Sequence, residues 1–138
     1  MKKKFNPISF YNVENVNELG DQVGHENLNL TKKLKGTYVD NLTINPLFLT
    51  HTAQISSKAR EVNAEMVFLY PPIASSFCNR VALAKVHETL LDKGINTLGT
   101  PLDFIYPDSL FLDTNYHLTW KGRDKKTKKI VKVLMEKR

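Results

Sequence analysis

The sequence predicts an α/β fold built as a small parallel sheet flanked by helices, and three observations lead to it. The run Met66-Val67-Phe68-Leu69-Tyr70 is continuously apolar and is stopped by Pro71-Pro72, as expected of a strand buried on both faces. Ile95 to Leu98 forms a second short apolar segment, closed by Gly99. Stretches with helical spacing separate and flank these segments, and helix-strand-helix-strand alternation is the pattern of a parallel sheet with crossover helices.

Taken in order, residues 1–44 read as irregular: Asn recurs, Gly20 and Gly24 interrupt, and residues 37–44 hold at most one short strand broken by Asp40-Asn41. Pro46 suits a first helical turn, and Leu47, Leu49, Ala53, Ile55, Ala59 and Val62 predict a helix over 46–64. Residues 65–70 then form the strand expected at the centre of the sheet. Ser75 or Ser76 opens the next helix, which carries Ala82, Leu83, Val86 and Leu90 to Lys93 and closes at Gly94. Residues 95–98 follow as a strand. Thr119 caps a final helix over 120–137, with Trp120, Thr127, Ile130, Val131 and Leu134 on one face and Lys121, Lys125, Lys128 and Lys132 on the other. Val67, Phe68, Leu69, Leu83, Val86, Leu90, Ile130 and Leu134 are the expected core.

A chain of 138 residues with 41% hydrophobic content supports one core, so a single domain is expected, with 45–138 as its α/β body. The lone cysteine, Cys78, excludes an intrachain disulfide. It reads either as a small packed hydrophobe or as a nucleophile paired with a histidine. Three lysines follow Met1, but no apolar run of a signal peptide or a membrane span appears, so a cytoplasmic location is expected. Residues 121–138 hold nine Lys or Arg against Asp124 and Glu136, a net +7; the whole chain is +6, so the basicity is local to the last helix. Such a face attracts phosphates, anionic lipid or acidic polysaccharide, or is simply solvated. Without interleaved exposed aromatics or a nucleic-acid motif, nucleic acid is not an expected partner. His25, His51 and His87 stand singly, so no metal or other cofactor is expected.

The residues with the clearest chemistry are Asp113 and His117, four apart in one loop before the last helix. An Asp that accepts from one imidazole nitrogen fixes the tautomer and makes the other nitrogen the base, which is two thirds of a hydrolase triad. The plainer reading is a carboxylate capping a turn beside a histidine at a helix end.

The segment Leu112-Asp113-Thr114-Asn115-Tyr116-His117-Leu118-Thr119, with Gly122-Arg123, Ile130 and Leu134 beyond it, resembles the last block of the SGNH (GDSL-type) hydrolase superfamily. The resemblance is nearest the branch linked to polysaccharide O-acylation, and residues 65–72 are similar to that family's strand-then-proline segment. It covers residues 46–138 and implies an SGNH/flavodoxin-like sheet, an esterase or O-acyltransferase lineage, His117 as general base and Asp113 as its orienter. The family's usual spacing is Asp-x-x-His, and this chain has one residue more. The family also requires a Gly-Asp-Ser-like nucleophile turn. Ser9, Ser56, Ser57, Ser75, Ser76 and Ser109 all lack that context, and Gly20, Gly24 and Asn27 match the oxyanion donors by residue type only.

The resemblance therefore implies the C-terminal half of such a domain, inactive alone, whose longer parent could be exported. Ser75 and Ser76 are the additional catalytic candidates. Tyr116, Asn115 and Pro72 would contact an acylated carbohydrate or small ester, in a crevice formed by 71–76, 99–101 and 113–117 beyond the strand ends. A half-domain exposes a sheet edge, so either residues 1–44 cover it or two chains pair there as a homodimer, the second being favoured. The alternative, from another class, is a non-catalytic α/β interaction module.

Overall fold

A computed structural model describes residues 16–19, 34–40 and 42–136. It is a mixed α/β structure with helices α1 (Pro46–Glu61), α2 (Arg80–Asp92) and α3 (Trp120–Glu136), and a parallel pair of strands, β1 (Ile73–Ala74) and β2 (Ile105–Tyr106). Three 3-10 turns, Ser75–Phe77, Pro101–Phe104 and Asp108–Leu110, join them. Gly20, Gly24, Asn27, His25, Asn41 and Lys137 lie outside the described residues.

Local chemistry sets the helix ends. The Asn45 side chain accepts from Leu47 N–H at 2.9 Å, and Pro46 occupies the first helical position of α1. That helix stops at Glu61 rather than residue 64: Asn63 adopts φ 55°, Ala64 N–H donates to Ala59 O, and Asn63 N–H donates to Arg60 O. This pair of reversed bonds closes a helix on a left-handed residue. The same device ends α2, where Gly94 at φ 68° donates to Leu91 O and Ile95 donates to Leu90 O.

The start of α2 differs from expectation. Ser75 and Ser76 lie in a 3-10 turn, and Asn79 is the cap, its side-chain oxygen accepting from Val81 N–H at 2.9 Å and Ala82 N–H at 3.3 Å. Ser and Asn cap about equally well, so the pattern cannot choose between them.

Residues 65–70 are not the central strand. Phe68 alone bridges Thr97 in parallel, through Phe68 N–H to Asn96 O at 2.7 Å and Leu98 N–H to Phe68 O at 2.9 Å. Pro71 and Pro72 remove two successive backbone donors, and the next pairing, Ile73–Ala74, is made with a different segment, Ile105–Tyr106. Residues 95–98 likewise make this one bridge before Gly99 turns the chain at φ 71°. The strand expected within 37–44 reduces to a bridge between Val39 and Cys78.

Strand alternation divides the core in two. Ala74 and Tyr106 face a cluster with Leu34, Tyr70, Leu90, Ile95, Phe104, Leu110 and Phe111, whereas Ile73 packs with Val39, Cys78 and Leu83 against Ile105. Of the expected core, Leu83 and Leu90 are buried and Val67, Phe68, Val86 and Ile130 are half-buried. Leu69 and Leu134 are exposed, which corrects the expectation for both. Among the N-terminal residues expected as edge cover, Leu34 is buried while Val16 and Leu19 are exposed. No helix among the described residues is long and apolar enough to cross a membrane.

Candidate active site

The loop carrying Asp113 and His117 is a tight hairpin. Phe111 and Leu118 pair antiparallel, Leu112 N–H donates to His117 O at 2.7 Å, and Thr119 N–H donates to Leu110 O at 2.8 Å. Thr119 finishes the closure and starts α3: its hydroxyl donates to Leu110 O at 3.1 Å and accepts from Gly122 N–H at 3.3 Å. Gly122 lets the helix approach, since a Cβ there would stand 2.6 Å from the Leu110 carbonyl oxygen. The hairpin places residues 113 and 117 on either side of its mouth, so a spacing of four brings their side chains together without a helical turn.

Asp113 Oδ1 and His117 Nδ1 are 3.0 Å apart, with both side chains partly exposed. With Asp113 ionised, the proton of a neutral ring belongs on Nδ1 and Nε2 is the basic nitrogen. Asp113, Thr114, Tyr116 and His117 line an open surface depression of about 340 Å³, Tyr116 as an exposed side chain of its wall. Such an arrangement can accept a proton from a hydroxyl or water brought into the depression.

Asn115 does not line this depression. Its side chain is buried and donates to Thr37 O at 3.2 Å; its backbone N–H donates to Lys35 O and its carbonyl accepts from Ala74 N–H, each at 3.1 Å. Lys35 N–H completes the seam on Asp113 O at 3.1 Å. Asn115 thus ties the site loop to the end of β1 and to residues 35–37, a structural task rather than contact with substrate. Pro72 is half-buried and is not among the lining residues.

Ser75 and Ser76 follow β1 but face a different partner. Ser75 Oγ donates to Asp108 Oδ1 at 3.2 Å, Ser76 N–H to the same oxygen at 3.1 Å, and Ser76 Oγ to Asp108 Oδ2. The Ser76 hydroxyl, then its amide and the Ser75 hydroxyl, hold the Asp108 carboxyl below its ordinary value. Neither serine is placed on His117 by these bonds. Sequence reading did not single out Asp108; the available signal was a carboxylate directly beyond a strand's carboxyl end, after Pro107. Residues 99–101 do not join the site. Thr100 N–H and hydroxyl both donate to Asp103 Oδ2 at 2.9 Å, and Asp103 Oδ1 lies 2.9 Å from Lys129 Nζ on α3.

Cys78 is buried, with its Sγ directed to Ser75 O at 3.8 Å, and burial pushes its thiol up. That is the opposite of an activated thiolate. His87 sits apart, its Nδ1 2.9 Å from the Tyr70 hydroxyl. No group of three or more His, Cys, Asp or Glu among the described residues could hold a metal ion. The chain matches no protein-family model, no curated protein and no solved structure.

Proposed function

We propose that this is an SGNH-hydrolase-like domain of esterase or O-acyltransferase lineage, with His117 as general base, Asp113 as its orienter, and no turnover of simple esters by the chain alone. The observation that supports this is the 3.0 Å contact between Asp113 Oδ1 and His117 Nδ1 within an open depression. The substrate class is an acylated carbohydrate or small ester, lying against Tyr116. A base without a positioned nucleophile and oxyanion donors lacks most of the stabilisation that acyl transfer requires.

Two measurements test the reading. Imidazole nitrogen NMR is expected to show the Nδ1–H tautomer of His117 in the parent chain and its loss in Asp113→Ala. Hydrolysis of p-nitrophenyl acetate is expected to stay at the buffer rate. Turnover abolished by His117→Ala would contradict the inactive assignment, and its further loss in Ser75→Ala, Ser76→Ala or Cys78→Ala would identify the nucleophile.

A non-catalytic α/β interaction module is the second reading, favoured by the engagement of Ser75 and Ser76 with Asp108. A tautomer of His117 indifferent to Asp113→Ala would select it.

A further inference from the structure

Part of the apolar stripe that the sequence assigns to the core side of the last helix lies instead on the surface. Trp120 is 43% exposed, Val131 49%, Leu134 47% and Met135 72%. What α3 turns inward is Gly122, fully enclosed, with half-buried Ile130, Val133, Lys126 and Lys129. Lys129 is committed to Asp103, and burial pushes the Lys126 ammonium down. At 100° per residue, Trp120, Val131 and Leu134 fall within one narrow strip, with Met135 beside it.

Cations border the strip on both sides. Exposed Lys121, Lys125, Lys128 and Lys132 lie along one flank and Arg123 along the other. Two of these cations pair with acids along the helix, Lys128 with Asp124 at 2.8 Å and Lys132 near Glu136 at 3.8 Å, so Lys121, Lys125 and Arg123 supply most of the strip's excess charge. Lys121 Nζ stands 5.7 Å from the Trp120 ring centroid, so aromatic and ammonium share one end of the strip.

From this arrangement we propose that α3 is a docking surface for an anionic phospholipid bilayer, on which the helix lies flat with Trp120, Val131, Leu134 and Met135 in the headgroup boundary and its lysines on the lipid phosphates. An apolar strip carrying Trp and bordered by basic residues is the composition that partitions into such an interface. The other occupants fit less well. A second copy seated on the same face would set lysine against lysine across the strip. A nucleic acid would satisfy the cations but leave Val131, Leu134 and Met135 in water. The helix enters directly from the hairpin that holds Asp113 and His117, so docking would bring that depression close to the lipid surface. The lipid proposal does not depend on what the depression does.

Trp120 is the sole tryptophan of the chain and reports on the surface directly. The full chain is mixed with vesicles of phosphatidylcholine containing about 30 mol % phosphatidylserine, and emission and co-sedimentation are measured. A blue shift of Trp120 and sedimentation with the vesicles are expected, both lost on pure phosphatidylcholine and both weakened at about 0.5 M salt. Lys121→Glu with Lys125→Glu lowers the partition coefficient by about tenfold or more. Val131→Ser with Leu134→Ser lowers it by a similar factor. All four side chains are exposed, and circular dichroism verifies that the variants fold. Absence of sedimentation overturns the proposal, as does binding to a duplex oligonucleotide in place of the vesicles. Vesicle binding that the Val131→Ser and Leu134→Ser pair leaves unchanged overturns it too, because the contact would then be purely ionic.

Discussion

Gly122 and Leu110 meet so closely that α3 can dock only because residue 122 has no side chain: a Cβ would stand 2.6 Å from the Leu110 carbonyl oxygen. In an open helix Ala stabilises relative to Gly by about 1 kcal/mol. Here the sign reverses, since the opposing atom is backbone and cannot rotate away. Gly122→Ala is expected to destabilise by about 1 to 3 kcal/mol in urea titration. A variant as stable as the parent would show that α3 does not rest on Leu110.

A related prediction concerns Gly36, where an added Cβ would lie 2.3 Å from Asn115 Oδ1. Asn115 is buried and bonded to Thr37, so it cannot yield cheaply. Gly36→Ala should cost about 1 to 3 kcal/mol. The same substitution in an Asn115→Ala background should cost much less. Strict additivity of the two changes would deny the contact.

The link between Asp103 and Lys129 predicts acid sensitivity. The Lys129 ammonium first, then the Thr100 amide and hydroxyl, hold the Asp103 carboxyl below its ordinary value. A carboxylate depressed in the folded state contributes stability above its unfolded value of about 3.9, and that contribution is lost as pH falls through the folded value. Both side chains are 37% exposed, so solvent screening limits the gain to about 1 kcal/mol or less. Asp103→Asn should lower stability at neutral pH and converge with the parent near pH 2. A constant difference between the two across that range would count against the assignment.

Buried Cys78, with its thiol pushed up, should resist alkylation. Iodoacetamide at neutral pH is expected to modify the native chain at least about tenfold more slowly than the urea-unfolded chain. Equal rates would mean that the pocket of Val39, Ile73 and Leu83 around it opens readily.

Helix existence was legible because it depends on local pattern and caps. The Pro46 start, the Gly94 stop and the Thr119 cap each follow from one or two residues whose chemistry admits few alternatives. The meeting of Asp113 with His117 was legible for a similar reason, as both lie within one short loop. The sheet was not legible in detail. The apolar run 66–70 looks like a complete strand, but pairing is set by partners roughly thirty residues away and by where Pro71 and Pro72 withdraw donors. The orientation of α3 was legible only in part: Ile130 packs on the core as expected, whereas Leu134, expected there too, is exposed together with Trp120. The close approach at Gly122 and the tie from Lys129 to Asp103 rotate the helix so that these residues face outward. Asn115 has the type and position of a crevice residue; its burial arises from residues 35–37, about 80 positions upstream and invisible to any local window.

The backbone pairings also differ in how far apart in the chain their partners lie. Lys35 with Thr114, Val39 with Cys78, Phe68 with Thr97 and Ile73 with Ile105 each close long stretches of chain, whereas Phe111 and Leu118 close only seven residues. Loop closure of that short length takes on the order of 10 to 100 ns and carries a small entropy cost, while the parallel contacts must wait for larger searches. Assembly therefore has a direction: the hairpin that brings Asp113 to His117 can form early, and the sheet condenses around it. Phi-values near one at Phe111 and Leu118, with values near zero at Ile73 and Ile105, are the kinetic signature of that order.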